Sequence, residues 1–279
     1  MEVVFTMEQK RKGVWWKTLL IIVFCGALDI TIHALQKMDL VPGAPSYFLS
    51  QGLLIPAVLV WELLAFSLFA GIFLFIEARL HGKGWQKGFL YGLSFGAMYQ
   101  IGMFECSLLL HTKVINEFLT GLSDFFPILL MGILLGIFTA HSDTIQKKRT
   151  QGLSVLIVAF FYLAGRYFSY AFLHINSAYR SEPLGTFVWT LCMGLWVGVI
   201  YWMLQPGVKG KSVLSRSLYF ILVIYGPNWI MNHLFMLTVY EVSADLIVRV
   251  IADLVFAALG VFVSGEVLKE KQHLKAEVG

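Results

Sequence analysis

The sequence predicts an all-α protein, a polytopic bundle of about eight transmembrane helices. Of its 279 residues, 58% are hydrophobic and only 14% are charged, and the mean hydropathy is +0.75. A soluble domain usually carries about 25% charged residues, so this chain lacks the polar side chains needed to cover a water-exposed surface. The basic residues that produce the net charge of +4 lie mainly in short loops beside apolar runs. They therefore indicate the membrane topology, and no nucleic-acid partner is predicted.

Eight apolar runs are each long enough to cross about 30 Å of hydrocarbon as a helix. Short connections rich in turn-forming and charged residues separate them. The runs lie near residues 17–37, 50–77, 87–111, 116–140, 151–176, 184–204, 214–240 and 242–268. The lipid bilayer is therefore the first predicted partner of this chain.

Basic residues are concentrated on one side of the predicted membrane. Sixteen Lys and Arg residues lie in the two tails and the even-numbered loops, whereas the odd-numbered loops hold only Lys37, Lys113 and Arg180. Cytoplasmic loops are the ones enriched in Lys and Arg. We therefore expect a cell-membrane protein with both termini in the cytoplasm.

The whole chain, 1–279, is expected to form one transmembrane domain. A weak similarity links its halves, since Asp124 and Asp253 are each followed twelve residues later by a glycine, Gly136 and Gly265. This similarity raises the hypothesis of a four-plus-four repeat, with halves at 14–141 and 151–269, and such repeats favour a binding site at their interface.

Several ionisable residues lie well inside the apolar runs. Each Asp, Lys or Arg costs about 2.5–3.5 kcal/mol at the centre of a spanning helix on insertion scales, so these groups need partners, water or both. The residues are Asp29, Glu62, Glu105, Asp124, Arg166, Arg249 and Asp253. Spacings of three or four residues place most of them in polar stripes on single helix faces. We expect these faces to line one polar cavity open toward the exterior.

The leading functional hypothesis is a carrier for a small-molecule solute, with proton coupling as an option. Intramembrane charges and helix interruptions such as Gly226-Pro227 are typical of carrier sites. The candidates for solute binding are Arg166, Asp29, Asp124, Asp253, Asn228 and Asn232, and the candidates for proton coupling are Glu105, His33, His174, His233 and Glu62.

Two other interpretations use the same residues. A membrane-embedded enzyme acting on a lipid or lipid-linked substrate would use the His and carboxylate groups as acid and base. A receptor or assembly partner would use the polar pairs for structure alone, as in a hydrogen-bonded Asp29–His33 pair or a structural partner for Arg166. HExxH, HxxxH and CxxC motifs are absent, so no metal site and no cofactor are predicted. The oligomeric state is left open.

Overall fold

The computed structural model describes residues 2–36, 45–140, 152–241 and 243–278, with the side chains of 2–12 and 269–278 excluded. These residues form helices and no strand, apart from an isolated bridge between Pro45 and Tyr240. Eight helices are long and apolar enough to cross a membrane, so the predicted eight-helix bundle is confirmed. The spans are Gly13–Leu35, Leu54–Arg79, Gly84–Leu110, Val114–Phe138, Leu153–Phe172, Pro183–Gly207, Val213–Val239 and Ala244–Leu268.

Some helices extend beyond these spans, and some spans consist of more than one helical segment. The first helix runs over Glu2–Leu35 and the last over Ala244–Val278, and the second span ends in a 3₁₀ turn, Glu77–Arg79. The sixth ends in another 3₁₀ turn, Gln205–Gly207, and a short helix, Tyr47–Ser50, precedes the second span.

The span ends all lie within four residues of the sequence-based boundaries, and backbone conformation explains two of the differences. The second span begins at Leu54 because Gly52, with φ +69°, separates it from the short helix before it. The fifth span ends at Phe172, and His174 has a left-handed φ of +52°. The sequence-based placement of His174 inside the fifth span, within the run 151–176, is therefore wrong.

Large apolar side chains cover the outside of the bundle. Leu63, Phe160 and Leu222 are all more than half exposed, and the aromatic pair Trp15-Trp16 is exposed near the start of the first span. An exposed apolar surface of this extent is unfavourable in water and favourable in lipid. The polar groups accordingly lie inside the bundle.

The third and fourth spans make the closest helix contact, through glycines spaced four residues apart. A Cβ atom on Gly88 would lie 2.0 Å from the carbonyl oxygen of Gly132, and one on Gly136 would lie 2.3 Å from the carbonyl oxygen of Gly84. Small residues at this spacing allow two backbones to approach directly. The contact fixes the third span, which carries Glu105, against the fourth, which carries Asp124.

The first span packs on the fourth, and the fifth packs on the eighth. These two pairs are equivalent under the four-plus-four hypothesis, which remains a prediction. These helix pairs also determine which polar stripes are in contact, because the side chains of a stripe can reach only the helices that pack against the helix carrying it.

The seventh span changes its helical form at mid-length. Val213–Tyr219 is α-helical, Phe220–Tyr225 is a π-helix, and Gly226–Leu234 is α-helical again. The amide of Gly226 donates to the carbonyl of Ile221 five residues earlier, and Pro227, which follows, has no amide hydrogen to continue the α pattern. The predicted interruption at Gly226-Pro227 thus takes the form of a π turn within a continuous span.

Replacing Gly132 by Val should loosen the bundle, because the new side chain meets the backbone of the third span. Overpacking of this kind costs about 1–3 kcal/mol. We expect Gly132→Val to lower the thermal unfolding temperature of the detergent-solubilised protein, measured by size-exclusion chromatography after heating. Gly71→Val, on a span face where a Cβ meets nothing within 4 Å, is the matched control. Equal melting of the two variants would contradict the close approach.

Candidate functional site

The buried ionisable side chains fall into two separate groups. One group, which we call the arginine network, joins spans three, five and eight and consists of Glu105, Arg166, Asp245, Arg249 and Asp253. The other, the Asp–His cluster, joins spans one, two and four and consists of Asp29, His33, Glu62 and Asp124. The single polar cavity expected from the sequence is thus replaced by two sites.

Arg166 is the centre of the arginine network. Its side chain is 1% exposed, and its Nη1 lies 2.6 Å from Oε1 of Glu105. Its Nη2 donates to Oδ2 of Asp253 at 2.6 Å, while its Nε lies 2.6 Å from the other oxygen of the same carboxylate. The guanidinium also lies 4.9 Å from the centre of the Trp189 ring, a cation–π contact.

Arg249 extends the network toward the loop after the fifth span. It contacts Oε1 of Glu105, donates to Oδ2 of Asp245 at 3.1 Å, and donates to the main-chain carbonyl of Asn176. Glu105 therefore bridges both arginines, and each guanidinium has two carboxylate partners.

Span seven joins the network through Trp229. The indole Nε1 of Trp229 donates to Oδ2 of Asp253 at 3.0 Å. The same ring packs edge-on against His233, whose Nδ1 lies 3.0 Å from the Trp229 carbonyl oxygen. The network thus fastens four helices together, and its arginines are already occupied by carboxylates of the same chain.

A small cavity borders Glu105. Its volume is about 10 Å³, enough for about one water molecule. Tyr170, Thr186 and Trp189 contribute to its wall. It is too small for an organic solute, which supports a structural role for this part of the network.

The Asp–His cluster begins with two residues one turn apart on the first span. Nδ1 of His33 lies 3.1 Å from the main-chain oxygen of Asp29 and 3.5 Å from its side-chain Oδ2. Nε2 of His33 lies 3.5 Å from Oδ1 of Asp124 on the fourth span. The imidazole therefore stands between two carboxyl groups from two helices.

Glu62 adds a third carboxyl group from the second span. It is 4% exposed and lies close enough to Asp29 and Asp124 to interact electrostatically with both. Oε1 of Glu62 and Oδ1 of Asp29 are buried and have no hydrogen-bond partner among the described residues. Gly26 faces Glu62 and leaves space for its side chain, since a Cβ there would lie 3.4 Å from Cγ of Glu62.

The two groups differ in their balance of charge. Within the arginine network, two guanidinium groups face three carboxylates, one of which, on Asp245, is partly exposed. The Asp–His cluster places three carboxyl groups around one imidazole. Buried carboxylates without cations are costly, so this cluster requires a proton or a bound cation to be stable.

The remaining sequence candidates lie apart from the cluster. His174 is exposed in the loop after the fifth span. The amide of Asn228 is buried and donates to the carbonyl of Ile224 at 2.6 Å, and the amide of Asn232 lies near Gly102. Of the acidic residues that the sequence offers as partners for Arg166, which are Asp29, Glu62, Asp124 and Asp253, the structure pairs it with Asp253. Its other carboxylate partner among the described residues is Glu105.

One residue beside the cluster was missed by sequence reasoning. Tyr99 on the third span is 2% exposed and interacts electrostatically with Asp124, Glu62 and Asp29. Its hydroxyl lies 3.5 Å from the main-chain oxygen of Asn228, next to the π turn of span seven. A tyrosine in an apolar run gives no sequence signal, because its usual roles are core packing and the membrane interface.

No known protein family matches this chain, and searches of the curated proteins and of the solved structures find no significant match.

Replacing Arg166 by Gln should destabilise the fold, because it leaves the Asp253 carboxylate buried without a cation. Breaking a buried pair by removing one partner typically costs about 3–5 kcal/mol. The double variant Arg166→Gln/Asp253→Asn should recover part of this loss, since Glu105 keeps Arg249 and no charge is left alone. The yield and melting temperature of the purified protein report both effects. A double variant less stable than Arg166→Gln would contradict the pairing.

Proposed function

We propose that the protein is a secondary carrier for a small solute and that the Asp–His cluster is its coupling site. In this proposal the cluster takes up a proton from one side of the membrane and releases it to the other. The arginine network holds the helices in register during that cycle.

The excess of carboxyl groups in the Asp–His cluster carries the proposal. Intramembrane acidic groups without fixed cations are typical of proton and ion pathways. A structural cluster would be expected to pair its carboxylates with fixed cations, as the arginine network does through Arg166 and Arg249. Three carboxyl groups from three helices, with His33 between two of them, instead favour a site whose occupancy changes.

The seventh span supports a conformational link between the two groups. Its π turn and Pro227 interrupt the regular hydrogen-bond pattern, and π turns are frequent at functional sites. On the next turn, Asn228 faces Tyr99 beside the cluster, while Trp229 binds Asp253 of the network. A change of charge at the cluster would therefore reach the network through two adjacent residues.

The roles of the other candidates follow from this arrangement. Asn228 and Asn232 remain candidates for contact with the solute, and His233 directly follows Asn232 in the same helix, Gly226–Leu234. We assign Glu105, Arg166 and Asp253 to positioning the helices, because these side chains form ion pairs with one another. Asp29, His33, Glu62 and Asp124 are assigned to coupling.

We also propose the cell membrane as the location, with both termini in the cytoplasm. The distribution of Lys and Arg between loops supports this orientation. It would place the Asp–His cluster in the outer half of the bilayer. Asp124 lies ten residues from the start of its span at Val114, which is about 15 Å along a helix.

Replacing Asp124 by Asn should abolish proton-coupled uptake while the protein still folds. Proteoliposomes containing a pH-sensitive dye would be exposed to a panel of amino acids, sugars, organic cations and organic anions. We expect at least one class to acidify the lumen with the wild-type protein, with a rate at least ten-fold lower for Asp124→Asn.

The matched control is Glu182→Gln, which removes a carboxylate from an exposed pair with His111 at the same 3.5 Å separation. It should transport as the wild type does. A folded wild-type protein that moves no protons with any class would overturn the proposal, as would equal transport by Asp124→Asn.

The orientation can be tested with reporters in living bacteria. A green fluorescent protein fused after Gly279 should fluoresce, because that reporter folds in the cytoplasm, whereas an alkaline phosphatase fused at the same position should be inactive. The opposite pair of results would place the carboxyl terminus outside.

A further inference from the structure

We propose that the Asp–His cluster is a binding site for a divalent first-row transition metal ion of the Zn²⁺ type, held by His33, Asp124 and Asp29. This goes beyond a proton-coupled carrier, since it gives the cluster a ligand of defined chemistry. The role of the metal as transported solute or coupling ion rests on the proposed function, whereas its binding does not.

The positions of the ligand atoms are compatible with one metal ion. One donor atom from each of Asp29, His33 and Asp124 lies within 4.8 Å of the other two. Zinc–nitrogen and zinc–oxygen bonds of about 2.0–2.2 Å in a tetrahedron place neighbouring ligand atoms roughly 3.4 Å apart. The distance between Nε2 of His33 and Oδ1 of Asp124 is 3.5 Å.

The orientation of the imidazole is compatible with that of a metal ligand. Nδ1 of His33 lies 3.1 Å from the Asp29 carbonyl oxygen, so a hydrogen on Nδ1 would be donated there. In that tautomer the lone pair of Nε2 faces the carboxylate of Asp124. Two acceptors that face each other need a cation between them. A hydrogen bond from the second imidazole nitrogen to a backbone carbonyl is the usual support of a metal-bound histidine.

Buried oxygens without partners provide a second, independent observation. Oδ1 of Asp29 and Oε1 of Glu62 belong to residues that are 5% and 4% exposed, and neither oxygen has a hydrogen-bond partner among the described residues. Glu62 lies near Asp29, so its carboxylate can supply a fourth ligand atom or accept a hydrogen bond from a metal-bound water.

The donor types favour a particular class of metal. One imidazole with carboxylate oxygens suits Zn²⁺ and its first-row neighbours, whereas Mg²⁺ and Ca²⁺ prefer six or more oxygens. Three carboxylates with a divalent ion leave a net charge of −1, compared with −3 or −2 for the cluster alone with neutral or charged His33. The ion therefore relieves the charge excess that distinguishes this cluster from the arginine network.

Metal binding can be measured on the purified full-length protein in detergent after treatment with a chelator. Isothermal titration with Zn²⁺ should give one site per chain, and Co²⁺ should give the visible absorption of a tetrahedral complex. His33→Gln and Asp124→Asn should each weaken Zn²⁺ binding by more than about 100-fold, since loss of a mere supporting partner typically costs 10–100-fold.

His111→Gln and Glu182→Gln are the matched controls, because they remove the same side-chain types from an exposed pair separated by 3.5 Å. Both should bind Zn²⁺ as the wild type does. Folding of each variant would be checked by its melting temperature without metal. Glu62→Gln distinguishes a direct ligand, whose loss should weaken Zn²⁺ binding by more than about 100-fold, from a supporting neighbour, whose loss typically costs 10–100-fold.

Several results would overturn the inference. These are no Zn²⁺ binding by the folded wild type, equal binding by folded His33→Gln, and loss of binding in the surface controls. The first would show that a proton alone occupies the cluster, and proton-coupled transport measured on the same preparation would then still support the carrier. Binding without transport by any solute or metal ion would instead retain the metal site and reject the carrier.

Discussion

An arginine cannot give up its proton at any pH that the protein meets, and this constraint organises half of the bundle around Arg166. A cation at that depth must have acidic partners, and those partners must come from other helices. Glu105 and Asp253 supply them from the third and eighth spans, and Trp229 adds the seventh span through its bond to Asp253. The buried charge of Arg166 is thus stabilised by ion pairs and hydrogen bonds that connect four helices and fix their relative positions.

The opposite condition holds around Asp29 and His33. Carboxyl groups can take up protons or bind metal ions, so they can be left without fixed cations where an arginine cannot. The arginine network has permanent guanidinium groups, whereas we propose an exchangeable cation for the Asp–His cluster. The seventh span contacts both groups, because the main-chain oxygen of Asn228 lies near Tyr99 beside the cluster and Trp229 is bonded to Asp253 of the network. In the proposed cycle, this separation would allow the cluster to change its charge while the network keeps the fold.

The sequence predicted the eight spans well because their signal is local. Length and apolarity are properties of consecutive residues, and lipid leaves a spanning segment little choice but a helix. Helical spacing also identified most of the buried polar residues. Partners on the same helix follow from spacing, as Asp29 and His33 show. Partners on other helices could not be predicted, because they depend on which helices pack together. Asp124 meets His33 because the fourth span packs on the first. His174 was misplaced because a left-handed residue ends the helix, which an apolar run does not reveal.

We propose that the exchangeable charge of the protein lies in the Asp–His cluster and not in the arginine network. Infrared difference spectroscopy during a pH titration in lipid measures the protonation of carboxyl groups directly, since a carboxyl group that gains a proton acquires a carbonyl stretch. The account predicts a titrating band that disappears or shifts in Glu62→Gln or Asp124→Asn and persists in Asp253→Asn. A band that survives both cluster variants and disappears in Asp253→Asn would contradict it.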